Sequence, residues 1–272
     1  MSKTILITGC SSGIGRMTAK YFQGKGWNVV ATVRKFSDSD KELTDLDNVL
    51  VTELDVTKED TIKSSVAQAV EKFGTIDVLL NNAGYGSYGI LEATPEHKIR
   101  MQFEVNVIGL LLVTKNVIPI MRKQGSGTII NISSMGGKVS FPMGTLYHGS
   151  KFAVEGMSEA LSFELAEIGV KVKMVEPGVI NTNFATTSFD MNIDPSMTEY
   201  AEFTGKVLKA FEAGANGSEP ILVAETIYKA ATDGTDQLRY IAGPDAEQII
   251  AARKQMNDPE YMSLIRSQYG LN

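Results

Sequence analysis

The chain has 272 residues, 43% of them hydrophobic and 21% charged, which suits a folded globular protein with its own core and excludes disorder outside local loops. A net charge of −6, with no run of basic residues, excludes nucleic acid as a primary partner. One cysteine, Cys10, and two histidines, His97 and His148, can form neither a disulfide nor a Cys/His metal cluster, so no metal site is expected.

Along the chain, short β-branched runs alternate with longer helical patterns. Residues 3–8 (KTILIT) read as a buried strand, too short for a secretory core, and residues 13–24 as a helix. Strands follow at 27–33 (WNVVATV) and 49–54, an amphipathic helix at 58–73, and a fourth strand at 76–80 (IDVLL). Residues 95–123 read as one long helix, with Pro95 suited to its start and Pro119 kinking its last turn. Residues 127–133 (GTIINIS) form a fifth strand, 147–168 a long helix, 170–175 (VKVKMV) a sixth strand and 238–242 (LRYIA) a seventh. Strands apolar throughout with helices between them predict an α/β protein: a single doubly wound, Rossmann-type domain on a parallel, seven-stranded sheet. Its ligand site is expected beyond the strands' C-terminal ends. The segment 183–220 breaks the alternation and, with Phe184, Phe189, Met191, Met197 and Phe203, is expected to be a substrate lid. Residues 244–272 are expected to be a helical tail broken near Asp258 and Pro259. No stretch approaches the roughly 18 apolar residues of a spanning helix, so a cytoplasmic protein without a membrane span is expected.

Residues 8–15 (TGCSSGIG) follow the first strand and open a helix. Glycines permit a tight turn and a close backbone approach, and the helix N-terminus offers free N–H groups to a pyrophosphate. The cradle is therefore assigned to Gly9, Ser11, Ser12, Gly13, Ile14 and Gly15 of a dinucleotide site. The order of motifs from here to residue 182 resembles the short-chain dehydrogenase/reductase family: the glycine loop, Leu54-Asp55-Val56, Asn81-Asn82-Ala83-Gly84, Asn106, Ser134, Tyr147 with Lys151, and Pro177-Gly178 with Thr182. The resemblance implies that Asp55 and Val56 meet the adenine, although Asp55 also fits a carboxylate at a helix start. It implies that Asn82, Ala83 and Gly84 lie near the ribose, although Asn82 also suits a turn. Pro177, Gly178, Ile180 and Thr182 would hold the carboxamide end. The second strand ends Val33-Arg34-Lys35, with no carboxylate where an NAD enzyme would bind its ribose; Arg34 instead suits a 2′-phosphate, which predicts NADP(H).

The spacing Tyr-x-x-x-Lys occurs twice, at Tyr21/Lys25 and at Tyr147/Lys151. Only the second has a serine 13 residues upstream, Ser134, at the end of an apolar strand. Residues four apart share a helix face, so Lys151 can stand beside the Tyr147 phenol and lower a pKa that is ordinarily near 10. The resemblance implies that Ser134 polarises a substrate carbonyl, Tyr147 moves the proton, Lys151 also holds the nicotinamide ribose, and Asn106 holds a water that links Lys151 to solvent.

Met135, Phe141, Met143 and Leu146 flank Tyr147 in sequence and, with the lid's Phe184, Phe189 and Met191, predict an apolar pocket. A lipophilic ketone, aldehyde or alcohol is the expected substrate, and the chain resembles the hydroxysteroid and retinol dehydrogenase branch. A non-catalytic NADPH sensor and an epimerase or dehydratase on the same scaffold are the alternatives. His148 is rotated about 100° from Tyr147 and is expected to face elsewhere, and Cys10 is read as a small loop filler. The stripe Gly149, Ala153, Gly156 and Ala160 suits close packing on the sheet, and the resemblance implies a homodimer or homotetramer joined through this helix. If this assignment holds, Tyr147→Phe lowers turnover at least about a thousandfold while NADPH binding is kept. Steady-state kinetics beside Tyr21→Phe check it: activity surviving in the first and lost in the second would overturn it.

Overall fold

The computed structural model describes residues 2–37, 40–182, 188–214 and 217–272; Phe184 of the expected lid lies outside them. The seven expected strands are present as β1 (Thr4–Ile7), β2 (Asn28–Val33), β3 (Val49–Glu53), β4 (Val78–Asn81), β6 (Gly127–Ile132), β7 (Val170–Pro177) and β9 (Arg239–Ala242). They form one parallel sheet in the order β3-β2-β1-β4-β6-β7-β9. A second, two-stranded parallel sheet joins β5 (Gly86–Gly89) to β8 (Phe189–Asn192).

Side-chain alternation along each strand feeds a separate core on either face. Ile5, Ile7, Val78, Leu80 and Ile130 pack towards α1 (Gly13–Gly24) and a helix at Pro220–Thr232. Leu6, Leu79 and Ile129 pack the other way, onto α3 (Glu59–Phe73), α5 (Leu110–Gln124) and α6 (Thr145–Ala166). Trp27 sits at the foot of the first core, edge-on to Phe22 and Tyr228 at centroid distances of 5.1 and 6.4 Å. In chain order the remaining helices are α2 (Lys41–Thr44), α4 (Glu96–Phe103), α7 (Ala201–Ala213), α8 (Pro220–Thr232), α9 (Pro244–Gln255) and α10 (Asp258–Gln268).

The structure differs from the sequence reading in four places. The expected long helix at 95–123 is α4 and α5 joined by a π-helical turn at Glu104–Gly109, which carries Asn106; such widened turns recur at functional sites. By length and composition this run, Glu96–Gln124 of 29 residues, is apolar enough to cross a membrane, against the expectation that no stretch comes close; Val113, Val117 and Met121 on it pack into the sheet's core. The segment read as an irregular lid contains β8 and α7, and α8 follows in a stretch for which the sequence reading gave no element. On α6, Gly156 and Ala160 are exposed and do not face the sheet. The tail is two helices, α9 and α10, the second begun by a capping box between Asn257 and Glu260, and its break falls at 256–257.

One buried ion pair locks the edge of the sheet. Lys173, 2% exposed in β7, donates to Asp233 Oδ1 at 2.6 Å and to the Tyr240 hydroxyl at 3.0 Å. Tyr240 donates in turn to Asp233 Oδ2 at 2.6 Å. Burial works against the Asp233 carboxylate, but these bonds outweigh it and hold its pKa well below the usual range. Asp233→Ala leaves the ammonium buried without a counter-ion. A loss of about 3 kcal/mol in unfolding free energy is expected from urea denaturation, with Lys173→Met in the same background recovering part of it.

Candidate active site

The C-terminal ends of β1, β4, β6 and β7 lie side by side, and the residues after them build the site. After β1, the Thr8 hydroxyl accepts hydrogen bonds from the N–H groups of Asn82 and Ala83 at 2.9 and 3.0 Å. Asn82 Nδ2 donates back to the carbonyls of Thr8 and Gly9 at 2.8 and 3.0 Å. The amide of Asn82 thus braces the glycine loop. The loop calls for glycine at three points: Gly9 and Gly13 have φ of +75° and +56°, and a Cβ on Gly15 would stand 2.3 Å from the Gly9 carbonyl oxygen. Ser12 caps α1 with extended backbone and no side-chain bond, and no acidic residue lies in the first turn. The first N–H groups of α1 are therefore left without a side-chain acceptor, which is the arrangement that binds an anion. A hollow of about 240 Å³ opens beside it, lined by Gly13, Arg16, Lys20, Asn181 and Thr182 among others. Ile14 is half-buried against the core of α1, and Ser11 is exposed.

The neighbouring motif residues divide between rim and frame. Arg34 is exposed just beyond β2, and Arg16 ties the following loop down through Asp40 Oδ1 at 2.8 Å. Asp55 Oδ1 accepts from the Thr57 N–H at 3.0 Å and its hydroxyl at 2.8 Å, turning the chain into α3; Val56 is buried against Gly109 of the π-turn. Beyond Pro177, which ends β7, Gly178 donates to the Ala242 carbonyl at 2.9 Å. Ile180 pairs with Ser218, and Thr182 faces Gly13 across the loop. Gly84 lies against Asn106 Oδ1. Cys10 is fully buried, and burial pushes its thiol up to about 12, an inert filler.

Ser134, Tyr147 and Lys151 meet beyond β6. Ser134 Oγ accepts from the Gly136 N–H at 3.0 Å and hydrogen-bonds the Tyr147 hydroxyl. Lys151 Nζ donates to the Ile132 carbonyl at 2.9 Å and stands 5.8 Å from the centroid of the Tyr147 ring. Burial dominates both titrations: it raises the Tyr147 pKa, with the Ser134 bond pulling the other way, and lowers Lys151 to about 8 against the opposing charge of Glu155. The phenol is therefore raised by desolvation rather than lowered by the lysine as expected. Asn106 is buried with its amide fully engaged: Oδ1 accepts from the Tyr85 N–H at 3.0 Å, and Nδ2 donates to the Tyr85 carbonyl at 2.9 Å and to Ser150 Oγ at 3.1 Å. Ser150 donates to the Tyr147 carbonyl at 2.7 Å. Asn106 is therefore one bond removed from the tyrosine's own turn.

The sequence reading missed the far wall. Gln102, one turn before Asn106, accepts from the Ser87 N–H at 2.6 Å and donates to the Tyr85 carbonyl at 3.0 Å, fixing β5. Tyr88 of β5 stacks on Tyr147 at 5.3 Å and on Phe189 at 4.8 Å. Phe211 of α7 meets Tyr88 edge-on at 5.9 Å, and Tyr269 of the tail meets Phe211 at 6.0 Å. The four-residue spacing of Gln102 and Asn106 was a visible signal; Tyr88 offered none. Met143, buried beside this wall, has φ of +62° and accepts from the Gly89 N–H at 2.8 Å. A left-handed backbone costs a side-chain-bearing residue about 1–2 kcal/mol, so the loop before α6 is held under strain.

A family model described as short chain dehydrogenase matches residues 3–193. An uncharacterized oxidoreductase of Schizosaccharomyces pombe is 45% identical over 85% of this chain and 97% of its own. A 3-ketodihydrosphingosine reductase of Bacteroides thetaiotaomicron is 37% identical over 92% of this chain and 91% of its own. The solved structure of ElxO with NADP bound superposes with a TM-score of 0.72 at 28% identity, covering 89% of this chain and 98% of that one.

His148 packs edge-on to the Tyr147 ring at 5.7 Å, against the expectation that it faces elsewhere, and braces the turn beyond β6. Its Nε2 accepts from the Phe141 N–H at 3.1 Å, which makes Nδ1–H the donor to the Gly136 carbonyl at 3.0 Å. Burial lowers its pKa below 6.5, partly offset by the Gly136 bond. A depressed histidine contributes stability that is present above the unfolded value of 6.5 and is lost as pH falls through the folded pKa. The thermal midpoint is expected to drop on acidification below about 6.5 in the parent and to drop less in His148→Gln; equal slopes in the two proteins would contradict this.

Proposed function

This chain is an oxidoreductase of the short-chain dehydrogenase family, and on that premise we propose that it interconverts lipophilic ketones or aldehydes and their alcohols with NADP(H), Tyr147 moving the proton. The observation that carries the reading is the hydrogen bond between the Ser134 and Tyr147 hydroxyls with the Lys151 ammonium at the same ring. A carbonyl oxygen set between the two hydroxyls is polarised by Ser134 and receives its proton from Tyr147. Lys151 holds positive charge beside the phenolate that results. Asn106 acts by position, fixing Ser150 and through it the turn that carries Tyr147. Reduced nicotinamide, when bound, supplies hydride to the carbonyl carbon.

The chain's own residues fit such a cofactor. The uncapped start of α1, with Gly9, Ser11, Ser12, Gly13, Ile14 and Gly15, suits a pyrophosphate, and Asp55 keeps its second carboxylate oxygen for the adenine edge while Val56 lines it. Asn82, Ala83 and Gly84 border the ribose side, and Pro177, Gly178, Ile180 and Thr182 the carboxamide side. NADP is the bound cofactor of ElxO, and Arg34, exposed and with no hydrogen bond or ion pair among the described residues, suits its 2′-phosphate. Tyr88, Met143, Phe189, Phe211 and Tyr269 give the substrate side an apolar, aromatic character, and the 183–220 segment serves as its lid. The name of the Bacteroides relative, a reductase of a 3-keto compound, is in keeping with a ketone substrate. The protein is read as cytoplasmic, and as a homodimer or homotetramer assembled on the outer face of α6, where Phe152 and Phe163 are 49% and 73% exposed.

Loss of NADPH absorbance against a panel of aliphatic and aromatic ketones and aldehydes tests the reading; tight NADPH binding without turnover on any of them would favour a sensor. In the parent, kcat/KM with NADPH is expected to exceed that with NADH by at least about tenfold, and Arg34→Ala to remove most of that preference. Equal efficiency with both cofactors in the parent would sink the NADP assignment.

A further inference from the structure

Behind Lys151 lies a group of charges that the proposed chemistry does not use. Glu155 follows Lys151 by one turn of α6, on the same helix face, and is 5% exposed. Glu176, next to last in β7, is 2% exposed, and the two carboxyl groups meet within hydrogen-bonding reach. Arg239 of β9 donates from Nε to Glu155 Oε2 at 2.9 Å, stands 3.6 Å from Glu176 Oε1, and is shared with Glu159 at 2.6 Å. Lys138, after the turn beyond β6, is 3.8 Å from Glu155 Oε2. Three carboxyl groups therefore compete for one guanidinium, with a second cation at the limit of contact.

Two buried carboxyl oxygens without a hydrogen-bond donor decide the protonation state. Glu155 Oε1 and Glu176 Oε1 are both buried, and neither has a hydrogen-bond donor among the described residues. Two carboxylates can only repel and strand those oxygens, whereas one carboxylic acid and one carboxylate make a bond between them. Arg239 favours Glu155 as the ionised partner by its shorter contact.

We propose that Glu155 and Glu176 share one proton and act together as a positioning pair for Lys151, Glu155 carrying the carboxylate that keeps the Lys151 ammonium charged beside Tyr147. The proposal rests on the reading of Lys151 as the charge that supports the tyrosine. Burial, then the Glu155 charge, raises Glu176 to about 7 against the pull of Lys138 and Arg239, and burial brings Lys151 down to about 8 with Glu155 opposing. As pH rises through about 7, the proton leaves Glu176, a second negative charge appears behind Lys151, and the ammonium persists to higher pH. The pair then works as a local buffer of the lysine's charge.

The test reads both groups without turnover. Carbon-13 NMR of labelled lysine side chains, with the Lys151 signal assigned by its loss in Lys151→Arg, gives the lysine titration. Infrared absorption of the protonated carboxyl group gives the Glu176 titration. The Lys151 signal is expected to titrate near 8 in the parent, roughly one unit lower in Glu155→Gln, and nearer the parent in Glu155→Asp. A carboxylic acid band that fades near pH 7 is expected in the parent and not in Glu176→Gln. An unshifted lysine in Glu155→Gln, or no such band in the parent, would overturn the proposal. Should Glu155→Gln fail to fold, thermal stability decides: a raised carboxyl pKa contributes stability that is lost as pH rises, so Glu176→Gln must gain on the parent between about pH 5 and pH 8, and a constant difference refutes the pair. An inactive protein that still shows both titrations would refute the reductase reading and leave the pair standing.

Discussion

Seven strands that all run the same way bring every C-terminal strand end to one edge of the sheet, and this constraint fixes where everything else can be. Backbone groups at that edge have no next residue of strand to pair with, so side chains take them over. The Thr8 hydroxyl collects the N–H groups that follow β4, Asn82 returns the bond to the loop after β1, and Lys151 takes the last carbonyl of β6. The first two cross from one strand end to its neighbour and the third ties α6 to β6, so the glycine loop, the tyrosine and the lysine are held relative to a common frame. A row of buried polar groups beneath them, Asn81 to Asn131 and Asn131 to Ser158, ties β4, β6 and α6 together one layer deeper.

Charge at the site is governed by burial first and by partners second. Tyr147, Lys151 and Glu176 are all withdrawn from water, and desolvation favours the neutral form of each. Glu155 opposes the loss of charge at Lys151, and the Ser134 bond opposes the rise at Tyr147. The same withdrawal makes each interaction stronger than it would be at a wet surface.

What the sequence disclosed follows from distance along the chain. The glycine loop, the tyrosine and lysine one turn apart, and the alternating strands are local patterns, and Ser134 at a strand end separated Tyr147 from Tyr21 without tertiary knowledge. Residues 86–89 (GSYG) carry no apolar alternation; they pair with β8 because Gln102 and Asn106 hold the backbone on either side of Tyr85. The π-turn within 95–123 left no mark either, since its residues suit an ordinary helix. Helix α8 was legible in PILVAETIYKAAT but was hidden by treating Pro220 as the end of a lid. The Glu155 and Glu176 pair, from a helix and a strand, is visible only once both are placed.

Trp27 is the only tryptophan in the chain, and its position gives the molecule a built-in optical reporter of one particular seam. It is seated at the start of β2, at the opposite end of the strand from Arg34, with Phe22 and Tyr228 edge-on around it and the Lys3 ammonium 5.7 Å from its ring. Its emission therefore follows the joint between α1 and α8 and is screened from events at the ligand edge. Of the nine tyrosines, Tyr88, Tyr147 and Tyr269 gather at the site, away from this seam. Excitation at the red edge, where tryptophan alone absorbs, thus reports unfolding of the frame at that seam.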